Sequence, residues 1–188
     1  MSTTVLVLVG SLRASSTNLA LAQSLAGFAP EGVEVVLHSG LELLPFYNDD
    51  LEALDAVDEH VARLRQAVLD ADALLLVTPE YNGSLPAVLA NAIDWISRPY
   101  NAGAVRGVPS TAIGTSLGRF GGVWAQEIAR RALGIAGAAV IDETFLALPG
   151  STKRYAELHP RDDAEAATGA AAALNALALA HADAVVHA

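Results

Sequence analysis

Apolar positions along this chain follow two alternating rhythms. Unbroken runs such as Val5-Leu6-Val7-Leu8-Val9 and Ala73-Leu74-Leu75-Leu76-Val77 have no polar residue in every second place. That is the pattern of strands covered on both faces. Between the runs, apolar residues recur every three or four positions, as in Leu19, Ala22, Leu25 and Ala26, or in Leu54, Val57, Val61, Leu64 and Val68. Such spacing lays one apolar stripe along a helix. The pattern predicts strands at 4–9, 33–38, 73–78, 109–114 and 138–146. It predicts helices at 17–28, 52–70, 85–97, 122–133 and 161–180, the last so rich in Ala that propensity alone supports it.

Regular alternation of strand and helix means a parallel sheet with helices on both sides. Residues 1–188 are therefore expected to form a single α/β domain. The expected architecture is a flavodoxin-like three-layer sandwich with a five-stranded parallel sheet in the order 2-1-3-4-5. That order makes the first, third and fourth strands neighbours, so the turns that follow them share one sheet edge, where open α/β sheets bind ligands.

Those three turns have unusual compositions. Gly10-Ser11-Leu12-Arg13-Ala14-Ser15-Ser16-Thr17-Asn18 places four hydroxyls, an amide and a guanidinium at a helix start. Backbone N–H groups, the positive helix end and Arg13 all favour phosphate there. A plain capping loop needs only one hydroxyl. The second turn, Thr78-Pro79-Glu80-Tyr81-Asn82-Gly83-Ser84-Leu85-Pro86, leads into a helix, with Ser84 expected as its cap and Pro86 in its first turn. The third, Gly114 to Gly122, has four glycines in nine residues, which lets backbone lie flat against a planar ligand. A flexible surface loop has the same composition, and its place after a strand tips the reading toward a ligand. Its helix is expected to stop at Gly134.

The anion site can be narrowed by what is missing. No G-x-G-x-x-G follows the first strand and no G-x-x-x-x-G-K-[ST] occurs; Lys153 is the only Lys. A hydroxyl-rich loop with one Arg suits a single phosphomonoester, which favours a mononucleotide such as FMN over NAD or ATP. A net charge of −10 argues against nucleic acid. The five His are scattered and Cys is absent, so neither a metal site nor thiol chemistry is expected. No run reaches the roughly 18 uninterrupted apolar residues of a membrane span. No membrane insertion and a cytoplasmic location are expected.

The blocks GSLRASSTN (10–18), LPFYNDDLE (44–52), PEYNGSLPAVLANAIDWISRP (79–99) and GTSLGRFGG with Gln126 resemble the NADPH-dependent FMN reductase family. That flavodoxin-like group includes quinone, azo-dye and chromate reductases. The resemblance spans about the first three-quarters of the chain. It implies that Ser11, Arg13, Ser16 and Asn18 hold the FMN phosphate, with Thr17 assisting through its N–H. Pro79, Glu80, Tyr81, Asn82 and Gly83 would lie against the isoalloxazine, and Ser116 and Gly118 would border the ribityl chain or ring. Glu80 would act through its backbone, and Asp94 as a helix or interface residue. Ala87 and Ala90 depart from the pattern, where relatives often have Gly and Lys. Phe120 and Trp124 match no role.

The implied activity passes hydride from NADPH or NADH through FMN to a quinone-like or other small-molecule electron acceptor in ping-pong fashion. FMN carries the chemistry, so no side-chain acid or base is required. A flavodoxin-type electron carrier with a protein partner is the alternative from another class, and a flavin-less sensor is a third. A homodimer or homotetramer is expected from the family and from Phe46, Tyr47 and Trp95. Pro45, Phe46 and Tyr47 either cover the sheet edge or form a contact surface.

Overall fold

The computed structural model describes residues 2–53 and 57–187. Its frame is the trio β1 (Thr3–Val9), β3 (Ala73–Val77) and β4 (Pro109–Thr115). They pair in parallel, with Val5 opposite Ala73 and Leu74 opposite Ser110. β2 (Val33–Leu37) flanks β1 and a short β5 (Ala139–Val140) flanks β4, giving the order β2-β1-β3-β4-β5. The predicted strand order is the observed one.

Alternate side chains of these strands enter opposite cores. Leu6, Leu8, Leu74, Leu76 and Ala112 point to one face. There they meet α3 (Glu59–Leu69), α4 (Ala87–Ile96) and α5 (Val123–Ile135). Val5, Val7, Leu75, Val77 and Ile113 point the other way, against α1 (Thr17–Phe28) and α7 (Ala164–Val186). By length and composition α7 is apolar enough to cross a bilayer. Its Ala166, Ala170, Ala173, Leu174 and Leu177 nevertheless sit fully inside this second core. Small Ala side chains let the helix lie close against the sheet.

Four element boundaries differ from expectation, each for a local reason. The helix predicted at 52–70 is two, α2 (Asp49–Glu52) and α3. Asp58 accepts the N–H groups of His60 at 2.8 Å and Val61 at 3.4 Å, which opens a new helix start. Val61, Leu64 and Val68 of the predicted stripe are buried, whereas Leu54 lies outside the described residues. α4 begins at Ala87 with Pro86 extended at the cap position, and Ser84 belongs to the preceding turn. α5 continues through Gly134 and stops at Ala136, where Gly137 takes φ +96°. The N–H of Ala138 then donates to Leu133 O, closing the helix end. α7 starts at Asp163, whose carboxylate accepts from Glu165 N and Ala166 N.

The largest difference is the fifth strand. In place of one strand over 138–146, two short pieces pair with opposite ends of β4: β5 (Ala139–Val140) and β6 (Ala147–Leu148). Side chains of α5 occupy the interval. Arg130 Nη1 donates to Ala112 O at 3.2 Å and its Nη2 to Thr144 Oγ1 at 3.0 Å, while Gln126 Nε2 donates to Leu146 O at 3.0 Å. Both side chains are buried. Burial pulls the Arg130 guanidinium pKa below its usual value, and the exposed Asp142 partly offsets this. A guanidinium thus replaces the missing ladder partner at mid-strand.

Candidate functional site

Three turns leave the carboxyl edge of β1, β3 and β4, and each is tied to another. Ser16 caps α1 by accepting Leu19 N at 3.3 Å. Asn18, only 2% exposed, donates from Nδ2 to Thr115 O at 2.8 Å and accepts Thr115 N at 3.0 Å. The amide therefore clasps the start of α1 to the end of β4. Asn18 serves this tie in addition to facing the cleft described below.

The second turn is built on Asn82 and Gly83, with φ of 55° and 70°. Tyr81 and Ser84 exchange both backbone hydrogen bonds around them, at 3.0 and 3.1 Å. Two consecutive left-handed residues are what a two-residue primed turn requires, and Asn-Gly is the pair that adopts it most readily. Tyr81 is held half-exposed at its edge. Behind the turn, a Cβ placed on Gly83 would lie 3.6 Å from Trp124 Cε3.

Glu80 binds by its side chain, not only through its backbone. Its carboxylate accepts Trp124 N at 3.1 Å and Ala125 N at 3.2 Å. Gly122, at the cap position of α5, has no side chain to satisfy those groups. Glu80 caps the helix from a neighbouring loop and complements its positive end. The second and third turns are thereby joined.

Between them lies a cleft of about 400 Å³. Ser11, Arg13, Ser16, Thr17 and Asn18 line it from the first turn, Pro79, Glu80 and Tyr81 from the second, and Ser116 from the third. Nine of the twelve expected residues meet there. Asn82 and Gly83 shape the turn without lining this cleft, and Gly118 donates its N–H to Ser116 Oγ at 3.4 Å. An apolar recess of about 440 Å³ adjoins it, sharing Arg13 and Tyr81 and lined further by Leu12, Pro86 and Val88. Ser151 and Thr152 also line the cleft and were not expected. They open α6 (Ser151–Arg154), directly after β6, and Ser151 N donates to Ser116 O at 3.0 Å. A Gly-Ser-Thr sequence at 150–152 is the available signal, hidden when the fifth strand is read as continuous.

The donor set suits a phosphomonoester. Ser11, Ser16 and Thr17 offer hydroxyls, and Arg13 is exposed with no ion pair among the described residues. A cleft of this size lies in the usual range for small-ligand sites. Among the described residues no group of three or more His, Asp or Glu is placed to hold a metal.

Residues 3–153 match the model of a family described as NADPH-dependent FMN reductase. The chain belongs to the NADPH-dependent FMN reductase family. It is an FMN-dependent NAD(P)H oxidoreductase. Similar curated proteins include a 2-hydroxy-1,4-benzoquinone reductase of a Burkholderia species. It is 45% identical over 129 residues, which are 67% of this chain and 67% of the relative. A quinone reductase of Pseudomonas putida is 42% identical over 131 residues, 69% of this chain and 68% of the relative. Among solved structures, the flavoenzyme NAD(P)H:(acceptor) oxidoreductase FerB of Paracoccus denitrificans superposes with a TM-score of 0.72. It is 36% identical, with 96% of this chain and 94% of that one covered.

Within the reductase, two of the residues expected at a subunit contact have internal roles. Trp95 is 1% exposed and donates Nε1–H to Pro45 O at 2.7 Å, so it belongs to the core. Tyr47 packs edge-on against Trp95 with ring centroids 5.0 Å apart, and its hydroxyl bonds Asp49, Glu52 and Arg98. Accepting carboxylates push its pKa up to about 12. Phe46 alone of the three faces solvent, at 82% exposure. Asp94 lies outside the cleft, on a separate cavity of about 410 Å³ with Arg98 and Arg106; burial raises its pKa.

Proposed function

We propose that the cleft seats FMN with its phosphate at the first turn and its ring system across the other two. Ser11, Arg13, Ser16 and Thr17 bind the phosphate, assisted by the positive end of α1. Asn18 holds that loop against β4. Main-chain groups of Pro79, Glu80, Tyr81, Asn82 and Gly83 flank the ring, and Ser116 and Gly118 border its attached chain. Bound FMN would supply the two-electron hydride chemistry between NADPH or NADH and an acceptor. The protein orients the reactants, and Leu12, Pro86 and Val88 give the adjoining recess an apolar lining. The acceptor is a quinone-like small molecule, as the names of the Burkholderia and Pseudomonas relatives support.

The observation that carries this reading is the meeting of nine residues from three separate turns in one cleft. Exposed Phe46 and Tyr100 support assembly into a homo-oligomer, to be checked by light scattering. A cytoplasmic location is part of the same proposal. The functional test is anaerobic stopped-flow mixing of the flavin-loaded protein with NADPH, followed by a quinone. Direct bleaching by NADPH and reoxidation by quinone are expected. Flavin that bleaches only after a separate reductase is added would make the protein an electron carrier.

A further inference from the structure

Phe120 and Trp124 remain without a task in the site described above, and the fold arranges them in a row. Their ring centroids are 5.0 Å apart at 50°. The Arg119 guanidinium lies over Phe120, 4.5 Å from its centroid. At the other end Trp124 lies behind the Asn82–Gly83 turn, close enough that a Cβ on Gly83 would meet its ring at 3.6 Å. Both rings are nearly half open to solvent, at 43% and 47%. The row starts two residues after Leu117, which lines the cleft and is itself largely exposed. Arg119 has no ion pair among the described residues, and the Glu80 carboxylate is committed to the N–H groups of α5.

We propose that Arg119, Phe120 and Trp124 form an acceptor subsite selecting planar quinones that carry an ionised substituent. Exposed aromatic faces take up a flat conjugated ring by offset stacking. A guanidinium stacked on the end of the row supplies the positive charge for an ionised hydroxyl, carboxyl or sulfonate group. In a chain with net charge −10, such acceptors are repelled at long range, so a local cation decides their capture. The subsite rests on the redox reading of the cleft and adds its acceptor class.

The test compares naphthoquinone with its sulfonate in the flavin-loaded wild type, Arg119→Gln and Arg119→Lys. Arg119→Gln is expected to lower the sulfonate-to-parent ratio of kcat/KM by roughly five- to tenfold, the scale of one partly desolvated charge contact. Arg119→Lys should retain most of that ratio, and raised salt should diminish it in the wild type. A ratio unchanged in Arg119→Gln overturns the subsite. So does a fall matched by slower bleaching with NADPH, which assigns Arg119 to the hydride donor. A wild type that NADPH does not bleach defeats the redox reading itself, and the subsite with it.

Discussion

Replacing Asn18 by Ala removes one side chain that joins two of the three turns. Its amide supplies both partners of Thr115, the 2.8 Å bond to the carbonyl and the 3.0 Å bond from the N–H. Both bonds are buried, so the truncation leaves a donor and an acceptor without partners. At about 1–3 kcal/mol for each unmet group, and allowing water partial entry at the sheet edge, the expected loss is about 2–4 kcal/mol. For a chain of this length that corresponds to a fall in Tm of roughly 5–15 °C. Asn18→Asp should fare no better, since a carboxylate can accept from Thr115 N but faces Thr115 O with a second negative oxygen. Urea unfolding of the flavin-free proteins measures the clasp directly, and titration with FMN then measures its effect on the phosphate loop. An Asn18→Ala variant within about 0.5 kcal/mol of wild type without flavin, yet weak in FMN binding, would show a ligand contact and no clasp.

Arg13→Ala removes a charge-assisted contact to phosphate and should weaken FMN binding by about 1.5–3 kcal/mol, or roughly ten- to a hundredfold. Fluorescence titration checks it, and an unchanged Kd removes Arg13 from the phosphate site. Asp163, gripped by Arg154 at 2.6 and 2.8 Å, has its pKa lowered from 3.8 to about 2. The folded carboxylate is the more acidic, so its stabilisation is complete above about pH 4 and lost as pH falls toward 2. The difference is about 2 kcal/mol. Asp163→Asn should flatten that part of the curve of stability against pH; an identical slope refutes the linkage. Gly83→Ala puts a Cβ on a residue at φ +70° and should cost about 1–2 kcal/mol while shifting Tyr81. A crystal structure with the turn unchanged and full stability would contradict it.

Strand order and both core faces were legible because β1 and β3 are uninterrupted apolar runs, and because turns of unusual chemistry follow them. The caps were less legible. Asp58 reads as one more polar residue in a helical stripe until its carboxylate is seen on His60 N. The fifth strand misled for a related reason, since Gln126 and Arg130 reach its segment from fourteen or more residues away and stand in for ladder partners. Trp95 looked like a surface aromatic because nothing in its neighbourhood along the chain announces Pro45 as its partner. Residue types told where ligand chemistry belongs; side-chain ties between distant segments had to be seen.

The Arg130 guanidinium at Ala112 bears on how the β4 margin resists pairing with other chains. A sheet margin with a free row of amides and carbonyls invites a foreign strand to zip on. Here the outer margin of β4 offers only a two-residue foothold at each end, both already taken, with a buried cation across the middle. An incoming strand would have to expel that cation to pair along the middle of β4, so this margin of the sheet is guarded by a side chain where the ladder itself is broken.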